Sequence, residues 1–102
     1  MMRQRYRISE LAISDLEKIW LYTLKKWSLK QADRYHSLII SEIEFIAAHF
    51  SLSTKIEHIR EGYRMSKVKS HLIFYKMAED GVVEIVRILY QSMDIENRLK
   101  EK

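Results

Sequence analysis

Arginine, lysine and tyrosine recur through the second half of the chain, at Arg60, Arg64, Lys67, Lys69, Arg87 and Tyr90. Side chains of these types can grip a phosphate. An arginine stabilises charge developing on phosphorus, and a tyrosine or lysine can move a proton. Brought together on one face near a sheet end, Arg64, Arg87 and Tyr90 would form a candidate centre for RNA cleavage. The plainer reading, which the residue types favour, is that Arg87 pairs with an acidic side chain and the others are solvated strand edges.

Other chemistries find less support. The histidines are His36, His49, His58 and His71, and no two stand four apart on one helix. A closed ligand set of the kind zinc requires is not spelled out, so no metal site is expected, and the histidines read as surface or hydrogen-bonded groups. Gly62 and Gly81 are too isolated to form a phosphate cradle, and no serine sits in a nucleophile elbow. No cofactor is expected. Cysteine is absent, which removes disulfides and thiolate metal sites and tilts the expected location toward the cytosol.

The positioning framework must be small. A chain of 102 residues fits one domain, residues 1–102, with one modest core. Apolar residues make up 47% and charged residues 31%, the balance of an ordinary folded globule rather than a disordered chain. Against 18 basic residues stand 14 acidic ones, a net charge of +4 that favours encounter with acidic proteins or nucleic acid. No apolar run is long enough to span a bilayer, and the basic start, Met1 to Arg7, is succeeded by polar helix rather than an apolar signal core.

Residues 4–9 alternate Tyr6 and Ile8 with Arg5, Arg7 and Ser9, which predicts a short opening strand, with Ser9 capping a helix directly after it. From Ala12 the spacing turns helical: Ala12, Leu16, Ile19, Trp20, Thr23 and Trp27 share a face. Ser28-Leu29-Lys30-Gln31 has the form of a capping box and starts a second helix almost without a loop. Its stripe is Tyr35, Leu38, Ile39, Ile43, Ile46 and Phe50, so the pair makes a helical hairpin. Residues 51–61 read as a loop. Strands are then expected from Tyr63 to Val68, His71 to Met77 and Val82 to Tyr90, with Glu79-Asp80-Gly81 as the turn between the last two. The last strand is apolar on both faces and belongs inside the sheet. Asp94 can cap a final helical turn through Leu99. The expected fold is α+β: an N-terminal strand, a helical hairpin, an antiparallel three-stranded meander and a short C-terminal helix. At their spacing Trp20 and Trp27 are expected as core or hairpin contacts, whereas Tyr22 falls off the stripe and is expected at the surface.

The same segments carry a resemblance. Tyr6-Arg7-Ile8-Ser9 with Ala12, Asp15-Leu16, Ile19 and Tyr22, then Trp27, Gln31-Ala32 and Tyr35, resembles the first half of ParE-type toxins. Ile59-Arg60-Glu61-Gly62-Tyr63-Arg64, Ser70-His71-Leu72-Ile73-Phe74-Tyr75 and Val86-Arg87-Ile88-Leu89-Tyr90-Gln91-Ser92-Met93-Asp94-Ile95 are similar to the second half. Ser28 and Tyr90 depart from the pattern, where the family often has glycine and histidine. The resemblance implies a RelE/ParE-like fold and the toxin of a type II toxin–antitoxin pair. It also implies inhibition of DNA gyrase, through its A subunit, rather than catalysis. A ParD-like antitoxin would neutralise the toxin, and DNA would be reached only indirectly, through the antitoxin or gyrase. Arg87, Tyr90, Met93 and Asp94 are the residues expected in gyrase inhibition, and Tyr22, Trp27 and Tyr35 those expected in antitoxin contact. The alternative is a RelE-like mRNA endoribonuclease using Arg64, Arg87 and Tyr90; a further rival is a member that binds its antitoxin and is harmless.

Overall fold

The structure is a computed structural model that describes residues 6–52, 54–56 and 60–100. Expectations that fall on Arg5, Ser53, His58 and Ile59 lie outside the described residues.

Three caps set the helices. The Ser9 hydroxyl accepts from the Ala12 amide at 3.1 Å, starting α1 (Glu10–Lys26). The Ser28 hydroxyl accepts from the Gln31 amide at 3.1 Å and starts α2 (Leu29–Ala48). Each satisfies an amide that a helix start leaves orphaned. Asp94 caps a short α3 (Ile95–Leu99). Within the described residues the opening strand β1 is Tyr6–Ile8, and it ends one residue earlier than expected because Ser9 already belongs to the cap. Three of the strands come where expected, β3 (Arg64–Val68), β4 (His71–Met77) and β5 (Val83–Tyr90). The stretch expected as loop holds more order: a 3-10 turn over Phe50–Leu52 and a short strand, β2 (Thr54–Lys55), pairing with Arg64 and Met65.

The strands form one sheet in the order β1-β5-β4-β3-β2. β3, β4 and β5 are the antiparallel meander, and β1 joins β5 in parallel. Gly81, at φ +80, makes the β4–β5 turn possible. On one face the hairpin packs Ala12, Leu16, Ile39, Ile43 and Ile46 against Ile73, Tyr75, Ile85 and Ile88. On the other, Phe74 and Leu89 pack with Ile56, Tyr63 and the α3 residue Leu99. Both faces of β5 are therefore covered, which is why its sequence is apolar throughout. Among the described residues no helix is long and apolar enough to cross a membrane.

Candidate functional site: an aromatic groove and the end of the last strand

β1 stops at Ile8, level with Ile85, so the upper half of β5 has no strand on that side. The start of α1 takes its place. The Ser9 amide donates to the Ile85 carbonyl at 3.0 Å and the Ser9 hydroxyl to the Val86 carbonyl at 2.8 Å. The Ile88 amide then donates to the Asp15 carboxylate at 2.9 Å. The same carboxylate receives Arg87 Nε and Nη2, both at 2.9 Å, while Arg87 Nη1 donates to the Arg98 carbonyl at 3.1 Å. The Arg87 and Asp15 side chains are 6% and 8% exposed. This is a buried, two-pronged ion pair joining α1, β5 and α3, and its geometry is what a desolvated charge requires. Arg87 thus holds the site together from beneath, in keeping with the expectation that this arginine pairs with an acidic side chain.

A β-bulge aims the strand end. Phe74 pairs with Arg87 and Tyr75 with Ile85, leaving Val86 as the extra residue. Beyond it, Tyr90 and Met93 stand 43% and 42% exposed. Arg87, Tyr90 and Met93 line one small cleft of 90 Å³, together with Lys18, His71 and Arg98. Asp94 sits next to them in the chain and is occupied with capping, accepting from Asn97 Nδ2 at 2.6 Å.

Arg64 does not join them. It pairs with Tyr75 and Lys55 and lies over the Phe50 ring at 4.8 Å. Tyr90 pairs with His71, four residues away along β4 from Tyr75, which places the two levels about 14 Å apart. The trio Arg64, Arg87 and Tyr90 therefore does not converge, which corrects the expectation of a shared sheet end. The residue that does face Tyr90 is His71, expected from sequence only as a surface or hydrogen-bonded histidine: the two rings lie edge to face, 5.6 Å apart at 72°.

Tyr22, Trp27 and Tyr35 do meet. They line a groove of 570 Å³ between the helix ends and the β3–β4 turn, with Arg34, Leu38, Lys69 and His71. Trp27 is 69% exposed, against the expectation of a core or hairpin contact. The reason is local: α1 ends at Lys26, and Trp27 is the cap residue at φ −121, ψ −87, which takes it off the helix stripe. Leu38, at 42% exposure, also leaves the core for the groove. Tyr22 is 60% exposed, with Lys26 reaching its hydroxyl at 3.2 Å. Trp20 keeps its hairpin role through Nε1 donating to Asp33 at 3.0 Å.

Tyr35 ties the groove to the strand end. Its hydroxyl donates to the Val68 carbonyl at 3.0 Å and meets His71 Nδ1 at 2.7 Å. These bonds hold a turn in which Lys69 takes the left-handed φ of 54 that side chains seldom adopt. The phenol has one proton for two neighbours, the Val68 carbonyl and His71 Nδ1, so the tautomer of the His71 ring sets the direction of the Tyr35–His71 bond. Burial pushes the His71 imidazole below its ordinary value, with the Asp15 carboxylate opposing, and burial pushes the Tyr35 phenol up, with the Ser70 amide opposing. Among the described residues no group of three His, Asp or Glu is placed to hold a metal ion.

Comparison with known proteins agrees with this architecture. The profile of "ParE toxin of type II toxin-antitoxin system, parDE" matches residues 6–95. Toxin ParE1 of Mycobacterium tuberculosis is 35% identical over 98 residues, covering 96% of this chain and 100% of that protein. Toxin ParE1 of Caulobacter vibrioides is 41% identical over 90 residues, covering 87% of this chain and 91% of that one. A solved structure, "Chromosomal ParDE TA system from P. aeruginosa", superposes with a TM-score of 0.75 at 12% identity, over 86% of this chain and 96% of its own, and speaks to the fold. The family match spans the groove, the strand end and the ion pair beneath them: this chain belongs to the ParE toxins of type II toxin–antitoxin systems.

Proposed function

We propose that this toxin acts in the cytoplasm by inhibiting DNA gyrase, at the enzyme's A subunit, and that a ParD-like antitoxin neutralises it. The observation that carries the reading is the exposed Tyr90–Met93 end standing on the buried Asp15–Arg87 pair. An exposed aromatic and an exposed methionine on a rigid base suit recognition of a large partner, because they offer apolar anchors while the buried pair beneath fixes the backbone that presents them. In this reading Tyr90 and Met93 touch gyrase. Arg87, being buried, acts as a positioning residue, and Asp94 does so by capping α3.

The aromatic groove supports the antitoxin half of the proposal. Tyr22, Trp27 and Leu38 offer apolar surface, and Arg34 and Lys69 stand beside it. An acidic segment that orders on binding would bury the first set and pair with the second. The fold neighbour from a ParDE system supports a partner of this kind.

Induced expression in bacterial cells tests the proposal. Filamentation with a DNA-damage response is expected, relieved by co-expressed antitoxin, and Trp27→Ala should blunt the relief without blunting the toxicity. Rapid arrest of translation with replication intact would refute it.

A further inference from the structure

His71 belongs to both parts of the site. It lines the aromatic groove together with Tyr35, and it lines the small cleft at the strand end together with Tyr90. Two tyrosines hold it, one from α2 and one from β5. The Tyr35 ring lies 5.5 Å away at 57°, and its hydroxyl meets Nδ1 at 2.7 Å. The Tyr90 ring stands edge to face at 5.6 Å and 72°. Tyr35 is anchored in turn, to the Val68 carbonyl at 3.0 Å. A continuous chain of contacts therefore runs from the β3–β4 turn through Tyr35 and His71 to the end of β5.

Each link removes a freedom that the next would otherwise have. A histidine ring turns broadly about its last torsion unless something holds it. The bond at Nδ1 selects one ring orientation, whichever partner carries the proton. The backbone under Tyr90 is fixed by pairing with His71 and by the Gln91 amide, which donates to the Ser70 carbonyl at 2.9 Å. The Tyr90 side chain is less constrained: it is 43% exposed, and among the described residues His71 is the one aromatic ring against it. Edge-to-face packing is directional, so the angle of the imidazole sets the angle at which the phenol rests. An aromatic anchor held in one orientation before binding costs less to order than a free one.

We propose that His71, clamped by Tyr35, is a positioning residue for Tyr90, so that a residue of the antitoxin groove also governs how the strand end is presented to gyrase. The functional consequence rests on the gyrase reading, whereas the positioning itself is measured on the toxin alone.

The first arm is NMR of the intact toxin, reading the Tyr90 ring signals. Tyr35→Phe keeps the ring and removes only the hydroxyl, so it should fold, which circular dichroism checks. It should shift the Tyr90 signals, whereas Met77→Ala, at the opposite end of β4, should not. Tyr90 signals unmoved by Tyr35→Phe, or moved equally by Met77→Ala, would overturn the proposal. The second arm is supercoiling by purified gyrase. Tyr35→Phe should raise the toxin concentration for half-inhibition several-fold, and His71→Phe, which keeps a ring but loses the bond, should do the same. Combining the two should add little, because either change alone already releases the clamp. Undiminished inhibition by either single variant, or losses that simply multiply in the double variant, would overturn the proposal. A parent toxin that leaves gyrase uninhibited would sink the gyrase reading alone, and the NMR arm would still decide whether Tyr35 sets the Tyr90 ring.

Discussion

Removal of the Asp15 carboxylate should be the most damaging single change outside the apolar core. Asp15→Ala leaves Arg87 buried without the carboxylate that accepts from its Nε and Nη2 and strips the Ile88 amide of its acceptor. Breaking one side of a buried pair costs about 3–5 kcal/mol, and an orphaned buried amide about 1–3 kcal/mol more. A domain of this size has about 5–15 kcal/mol in all. At about 4–8 °C per kcal/mol, the melting temperature should fall by at least roughly 15 °C. Urea unfolding monitored by circular dichroism measures the loss, with an unchanged slope showing that the folded state is otherwise intact. The double variant Asp15→Leu with Arg87→Met removes both charges and leaves the Ile88 amide as the main deficit, so it should lie only about 1–3 kcal/mol below the parent. Asp15→Ala within about 1 kcal/mol of the parent, or a double variant no better than the single one, would refute the claim that this pair is mutually dependent and desolvated.

Other outcomes rest on single contacts. Ser28→Ala should lower stability by about 1 kcal/mol through loss of the α2 cap, measured by the same urea titration. Gly81→Ala should cost about 1–2 kcal/mol by the same measure: nothing lies within 4 Å of the added carbon, so the penalty is that of placing a side chain at φ +80. Trp27→Ala should leave the melting temperature nearly unchanged, because the ring is 69% exposed, while weakening antitoxin binding in calorimetry. His71 gives a pH dependence. Burial holds its folded-state value below the unfolded value of about 6.5, so the unfolded chain binds the proton first. Stability should then fall as pH drops through about 6.5 toward the lower folded value, and His71→Gln should show a shallower decline over that window.

Much of the frame was written locally in the chain. Ser9, Ser28 and Asp94 cap helices where spacing placed them, and a hydroxyl or carboxylate needs only the amides two or three residues on to do so. The apolar stripe of α2 and the double-sided apolar run of β5 marked their burial. What escaped depends on distance. The two residues of β2 carry no period and are strand only because Arg64 and Met65 lie beside them. Asp15 finds Arg87 across 72 positions of sequence, so the need for a partner was legible and its identity was not.

The site was less legible than the fold for one physical reason. The bulge at Val86 shifts the β4–β5 register by one residue, which puts His71 opposite Tyr90 and flips which side chains share a face beyond that point. No local pattern announces it; Arg64, Arg87 and Tyr90 fail to group because Arg64 stands level with Tyr75, four residues along β4 from the His71–Tyr90 pair, and Arg87 stands an odd three residues from Tyr90. Tyr22, Trp27 and Tyr35 meet for a different reason, because the tight α1–α2 connection brings the end of one helix beside the start of the next.

The gyrase reaction itself is the most direct test of the proposed mode of action. Purified gyrase, relaxed circular DNA, ATP and increasing amounts of this toxin should give falling supercoiling and rising cleaved DNA. Tyr90→Ala and Met93→Ala should remain folded and lose most of that effect. Undiminished supercoiling at saturating toxin, or full inhibition by both variants, would contradict it.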